Sequence, residues 1–250
     1  MPAAQLILKR QTQEERLAPL AKVGRARQLT LGAYDFEGTA FLEAFRSSTC
    51  QVRRLVLERG DGLRDVTLYG RLIEALGEKL EELTIHRFSI SDSYSTLFKA
   101  LETTVNLTKL TMDDVRGLTT SDYRTLGKVM AGGLSKLRHF GIGEVDYRNS
   151  LGFRALVNGL CGKTSITYVR WAARDIHSYW IPDLANMVRS MPNLHVLNFA
   201  AYDGENVWIG LHSWSLSDVK PLVNIWKLLP DLRVELSEDI PAEIRERFTR

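Results

Sequence analysis

One short apolar pattern, L-x-x-L-x-L, recurs along this chain at nearly constant spacing. It stands as Leu80-Glu-Glu-Leu83-Thr-Ile85, Leu107-Thr-Lys-Leu110-Thr-Met112 and Leu137-Arg-His-Phe140-Gly-Ile142. It stands again as Ile166-Thr-Tyr-Val169-Arg-Trp171 and Leu194-His-Val-Leu197-Asn-Phe199. Upstream lie Val52-Arg-Arg-Leu55-Val-Leu57 and a weaker Ala26-Arg-Gln-Leu29-Thr-Leu31. The middle apolar residue falls at 29, 55, 83, 110, 140, 169 and 197, in steps of 26, 28, 27, 30, 29 and 28. Self-similarity at a fixed period is the signature of a stacked array, in which each unit packs only on its neighbours. Leu232-Arg-Val-Glu-Leu236 reads as a compressed eighth strand closing the series.

The second half of each unit predicts a helix. Ser91 and Asp92 precede Tyr94, Leu97, Phe98 and Leu101, and Ser121 and Asp122 precede Tyr123, Leu126, Met130 and Leu134. Ser150 precedes Phe153, Leu156, Val157 and Leu160, and Pro182 precedes Leu184, Met187, Val188 and Met191. Ser217 and Asp218 precede Val219, Leu222, Ile225, Trp226 and Leu229. Ser and Asp satisfy the orphan amides of a helix start, and Pro dispenses with one of them. The i, i+3, i+4 apolar stripe gives each helix one buried face. Met191-Pro-Asn-Leu194 and Leu229-Pro-Asp-Leu232 are the breakers that turn the chain into the next strand.

A strand and a helix in about 28 residues resembles the leucine-rich repeats of the ribonuclease-inhibitor-like class. That resemblance implies an α/β right-handed β-α superhelix, with a curved parallel sheet on the concave side and helices outside. It covers about residues 26–236. One departure stands out. The family carries Asn or Cys three places after the last apolar residue of the strand, whereas this chain has Tyr34, Gly60, Phe88, Val115, Val145, Arg174 and Tyr202 there. The domain organisation expected is an N-terminal helical cap over 1–25, carrying Leu6, Leu8, Leu17, Leu20 and Val23, an array of about eight units over 26–236, and a C-terminal cap over 237–250.

Side chains alternate in direction along a strand, so the neighbours of the apolar residues form the concave face. One row is Gln28, Arg54, Glu82, Lys109, His139, Tyr168 and Val196; the next is Thr30, Val56, Thr84, Thr111, Gly141, Arg170 and Asn198. In the C-terminal half the floor is small, with Gly141, Gly143, Ala172, Ala173, Ala200 and Ala201. Around it are expected His139, Glu144, Tyr168, Arg170, Arg174, Asn198 and Tyr202. A small floor under an aromatic and charged rim suits docking of a partner, because Tyr and Arg are favoured interface anchors. The competing reading is that small residues only relieve crowding on a curved sheet. The seventh unit also carries an insertion, Asp203 to Trp214, whose Trp208 is a further candidate contact; alternatively it folds over the open end of the core.

Charge and motifs narrow the function. Thirty-three basic and 30 acidic residues give a net charge of +3, too balanced for a nucleic-acid track. No apolar run approaches the roughly 20 residues of a membrane span. No phosphate loop, metal-spaced histidines or nucleophile motif is present, so no cofactor, metal or enzymatic activity is expected. Surface positions are expected for the histidines, and a solvated charge pair for Asp113-Asp114. The expectation is a cytoplasmic or nuclear protein-protein interaction module, or a pathogen effector acting in a host cytoplasm. Met191-Pro-Asn-Leu194 through Leu197-Asn-Phe199 resembles the leucine-rich region of F-box proteins, which implies substrate recognition for a ubiquitin ligase. Two alternatives are a modulator of a small GTPase or other enzyme and a small-ligand sensor. Ran GTPase activators share the repeat type and use an arginine near a strand end, where Arg59, Arg87 or Arg170 would stand.

The repeat register also decides the redox state of the two cysteines, Cys50 and Cys161. Four strand steps of about 4.8 Å separate them by roughly 19 Å, far beyond the span of about 7 Å that a disulfide bridges. Mass mapping without reductant should therefore return two free thiols, and a Cys50–Cys161 bridge would overturn the register.

Overall fold

The computed structural model describes residues 5–8, 26–31, 39–58, 66–89, 93–143, 150–172, 178–199, 215–236 and 240–249. The chain divides into two compact units, 1–118 with 133–137 and 119–132 with 138–250. Both are α/β, with parallel strands alternating with helices.

The first unit runs β1 (Gln5–Leu8), β2 (Gln28–Leu31), α1 (Thr39–Arg46), β3 (Arg54–Glu58), α2 (Thr67–Leu76), β4 (Glu82–Ser89), α3 (Ser95–Ala100) and β5 (Lys109–Arg116). The five strands pair in chain order, with Leu6, Leu29, Leu55, Leu83 and Leu110 in register. The strand β1 corrects the expectation of a helical cap at its start. Leu6-Ile-Leu8 is too short to hold a helix alone, and beside β2 its backbone completes a ladder instead. Residues 9–25, with Leu17, Leu20 and Val23, lie outside the described residues.

The second unit holds α4 (Thr120–Gly132), β6 (His139–Gly143), α5 (Ser150–Leu160), β7 (Tyr168–Ala172), α6 (Ile181–Ser190), β8 (Val196–Phe199), α7 (Leu216–Leu228), β9 (Arg233–Leu236) and α8 (Ala242–Arg245). The strands β6 to β9 pair in order, with Phe140, Val169, Leu197 and Val234 in register. The eighth apolar strand is thus a true strand. After it, Ile244 and Phe248 are buried, and Phe248 meets the Trp226 ring edge-on at 5.6 Å.

The recurring apolar residues are the core. Leu55, Leu57, Leu83, Ile85, Leu110, Met112, Phe140, Ile142, Val169 and Trp171 are all fully buried. Each such side chain contributes about 1.5–3 kcal/mol over an exposed one. The first residue of the pattern has a second task. The amides of Leu80, Leu107, Leu137, Leu194 and Leu232 donate to the carbonyls three residues back, at 2.9–3.1 Å, and so close the turn from helix to strand.

The ends of β4 and β5 share a backbone feature. Arg87 and Asp114 take left-handed φ values of 53° and 51° at matching places in β4 and β5. That reverses the alternation, so Phe88 and Val115, which would otherwise point outward, are buried in the core. The Tyr94 hydroxyl then reaches the Phe88 and Arg116 carbonyls at 3.1 and 2.8 Å, giving both backbone acceptors a partner. At the other end of the strands, the residue before the first leucine reaches back one unit. Lys79 donates to the Ser47 carbonyl, Asn106 to Glu78 and Asn193 to Thr164, each at 2.7 Å, and Lys136 donates to the Asn106 side chain at 2.6 Å.

Two helix starts shift from the expected residue. Thr119, not Ser121, caps α4: its hydroxyl accepts from the Asp122 amide while Asp122 accepts from the Thr119 amide. Ser215, not Ser217, caps α7 in the same way with Asp218. In both, the aspartate is the reciprocal partner three residues on, which leaves the cap two residues earlier than a Ser-Asp pair suggests. In α7, the Ser215 hydroxyl and amide hold the Asp218 carboxyl below the ordinary carboxylate range. This contribution is present above the unfolded value and is lost as pH falls through the folded one. Both cysteines are free thiols.

Helices α4 and α5 pack backbone to backbone. A Cβ on Gly127 would collide with the Ala155 carbonyl, and one on Gly159 with the Gly127 carbonyl. Gly132, at the end of α4, has open space around it. Gly159→Ala should therefore lower stability in urea unfolding by about 1–3 kcal/mol through overpacking. Gly132→Ala should instead be neutral or gain up to about 1 kcal/mol from helix propensity. Equal effects at the two glycines would refute the close approach.

Candidate partner-binding surface

The strand face opposite the core differs between the units. In the first, the row Arg54, Glu82, Lys109 alternates in sign, with Arg54 and Glu82 paired at 2.9 Å. Such partly exposed pairs contribute little binding chemistry on their own. Two rows further along, Glu58, His86 and Asp113 lie side by side. Asp113 is buried and Asp114 turns away to pair with Arg116 at 2.9 Å, so the two do not form the solvated pair expected. The left-handed φ of Asp114 is the reason. Among the described residues, no group of three His, Cys, Asp or Glu side chains is placed to hold a metal ion.

In the second unit four of the expected contact residues come together. His139 and Tyr168 occupy the same register position on β6 and β7. Their rings stack at 4.0 Å with planes 10° apart. Stacking on a neighbouring ring, rather than lying loose on the surface, is what half-buries His139. One step along, Gly141, Arg170, Asn198 and Glu235 share a row. Gly141 and Gly143 are buried, and the absence of side chains there leaves the row shallow on the β6 side. The expected rim residues Glu144, Arg174, Tyr202 and Trp208 lie outside the described residues, as do Ala173, Ala200 and Ala201.

Two residues of β9 complete the patch and were missed by rows that stopped at the seventh strand. Arg233 continues the His139–Tyr168 row, and Glu235 continues the Arg170–Asn198 row. Glu235 accepts a hydrogen bond from the Asn198 amide and pairs with Arg233 at 2.6 Å. The alternation Leu232-Arg-Val-Glu-Leu236 carried the signal: two charged residues between three apolar ones on an eighth strand.

The electrostatics converge on Tyr168. Burial raises the pKa of its phenol, and the Glu235 carboxylate adds to this; Arg170, the Asn198 hydrogen bond and Arg233 oppose it. The hydroxyl is therefore neutral throughout the physiological range and keeps its proton to donate. The patch presents a planar two-ring platform, a guanidinium and an amide–carboxylate pair, all half-exposed. It can stack a planar group and hydrogen-bond both donors and acceptors.

A raised folded pKa means that the stability linked to this phenol is present below the unfolded value of about 10 and is lost as pH rises through the folded value. Difference absorbance titration of the wild type against Tyr168→Phe should show the lost phenol ionising above the ordinary tyrosine value. A difference spectrum that titrates at or below the ordinary tyrosine value would refute the desolvation of Tyr168. No protein-family model matches this sequence and no curated protein matches it, so the surface is read from its own geometry.

Proposed function

We propose that the chain is a leucine-rich-repeat array of β-α units, and that it binds a protein partner on the strand face of its C-terminal half. The observation that carries this reading is the stacked His139–Tyr168 pair beside Arg170 and Asn198, continued onto β9 by Arg233 and Glu235. Tyr and Arg in a preformed cluster are the residue types that dominate interface energetics. Their geometry is set by neighbouring strands before any partner arrives, which lowers the ordering cost of binding. Mixed charge across the patch suits a protein surface of matching polarity better than a phosphate backbone.

Recognition of one partner for delivery to a larger complex, as a substrate-recognition subunit or an effector, is the role this surface serves best. The test compares proteins captured from cells by the wild-type chain and by the Tyr168→Ala, Arg170→Ala double variant. Truncating two anchors should weaken the specific partner by about 30-fold or more, which corresponds to about 2 kcal/mol. The melting temperature should stay within a few degrees, because both side chains lie outside the core. An unchanged set of captured proteins at wild-type stability would remove the proposed site.

A further inference from the structure

We propose that the outer groove between α6 and α7 is a second docking surface, for an acidic, leucine-bearing peptide segment of a partner protein. It does not depend on the strand-face reading above. The groove has a volume of about 390 Å³ and is lined from both helices at helical spacing. From α6 come Pro182, Ala185, Asn186 and Arg189, and from α7 come Ser217, Lys220, Pro221, Asn224 and Ile225. Residues three and four apart on a helix lie on one face. The lining is therefore two facing stripes rather than a chance gap. Ala185 opens the space between them, because its methyl group stands where a larger side chain would fill the gap.

The charge of the groove is one-sided. Among the described residues, Arg189 and Lys220 are the charged members of the lining, and none is acidic. Among the described residues neither cation has an ion-pair partner. The carboxylates nearby in sequence are engaged elsewhere: Asp183 pairs with Arg154 at 3.0 Å, and Asp218 is held by the Ser215 cap. Two cations without an ion-pair partner among the described residues, over a floor of Ala185, Pro221 and Ile225, call for carboxylates alternating with apolar side chains.

A second observation specifies the apolar part. Leu228 is 75% exposed, the largest exposure among the large hydrophobic side chains described. It follows Asn224 and Ile225 by four and three residues and so extends the same α7 stripe beyond the groove. An exposed leucine in line with an apolar floor gives a ligand leucine a surface to cover. Neither a free anion nor a purely acidic tract would use it.

The test uses the full chain and a short fluorescein-labelled peptide of repeating Glu-Glu-Leu, read by fluorescence anisotropy. Binding should be seen at low salt and should weaken as salt rises. The Arg189→Glu, Lys220→Glu double variant should weaken it by at least about tenfold. Leu228→Ser should weaken it by about fivefold, through lost apolar burial. Asn224→Trp, which fills the groove without changing charge, should block it. All four positions are exposed, so the variants should keep the wild-type melting curve. No binding, equal binding of a Lys-Lys-Leu peptide, or binding indifferent to the charge reversal would each overturn the proposal. So would full competition by inorganic phosphate, which would mark a general anion site. Charge-dependent binding to phosphatidylserine vesicles without peptide binding would assign the surface to a membrane instead.

Discussion

Each strand's apolar residues are buried only because another strand lies parallel beside it and a helix lies over it. A segment of about 28 residues with one strand and one helix cannot enclose its own apolar face. That constraint explains why Leu55, Leu83 and Leu110 stand in register, and why Phe140, Val169 and Leu197 do the same. It also explains why the first residue of each pattern is doubly committed. Its side chain enters the core while its amide closes the turn that brings the chain back to the sheet. A unit that lost that residue would lose both burial and the return path.

The ends of the strands are served by different chemistry from the middle. At one end β4 and β5 use left-handed residues at Arg87 and Asp114 and a tyrosine hydroxyl at Tyr94. At the opposite end the chain uses long polar side chains that reach one unit back. Both devices answer the same demand, because backbone groups withdrawn from water need a partner. Helices set their spacing locally as well. Glycines at 127 and 159 bring α4 and α5 into backbone contact, whereas Ala185 and Pro221 leave a groove between α6 and α7.

The strand-face patch is built from rows rather than from a contiguous motif. His139, Tyr168, Val196 and Arg233 share one row, with 29, 28 and 37 residues between successive members. No local pattern links them in sequence. Parallel pairing alone brings them side by side, and the ring stack and the Tyr168 environment exist only in that arrangement.

Periodicity by itself determined the α/β class, the parallel order of strands and the identity of the buried residues. Burial is a demand that each unit repeats, so it leaves a signal every 28 residues or so. The rows of the strand face were legible for the same reason, and four of the residues expected on them, His139, Tyr168, Arg170 and Asn198, stand together in one patch. What only the tertiary structure decided depends on contacts between units. Leu6-Ile-Leu8 is a strand because β2 offers it a ladder, not because of any local preference. Thr119 and Ser215 cap their helices because the aspartates three residues on can reciprocate. Arg233 and Glu235 join the patch because β9 pairs in register with β8. Each of these turns on which backbone lies alongside, a relation between distant residues that a pattern read along one chain does not carry.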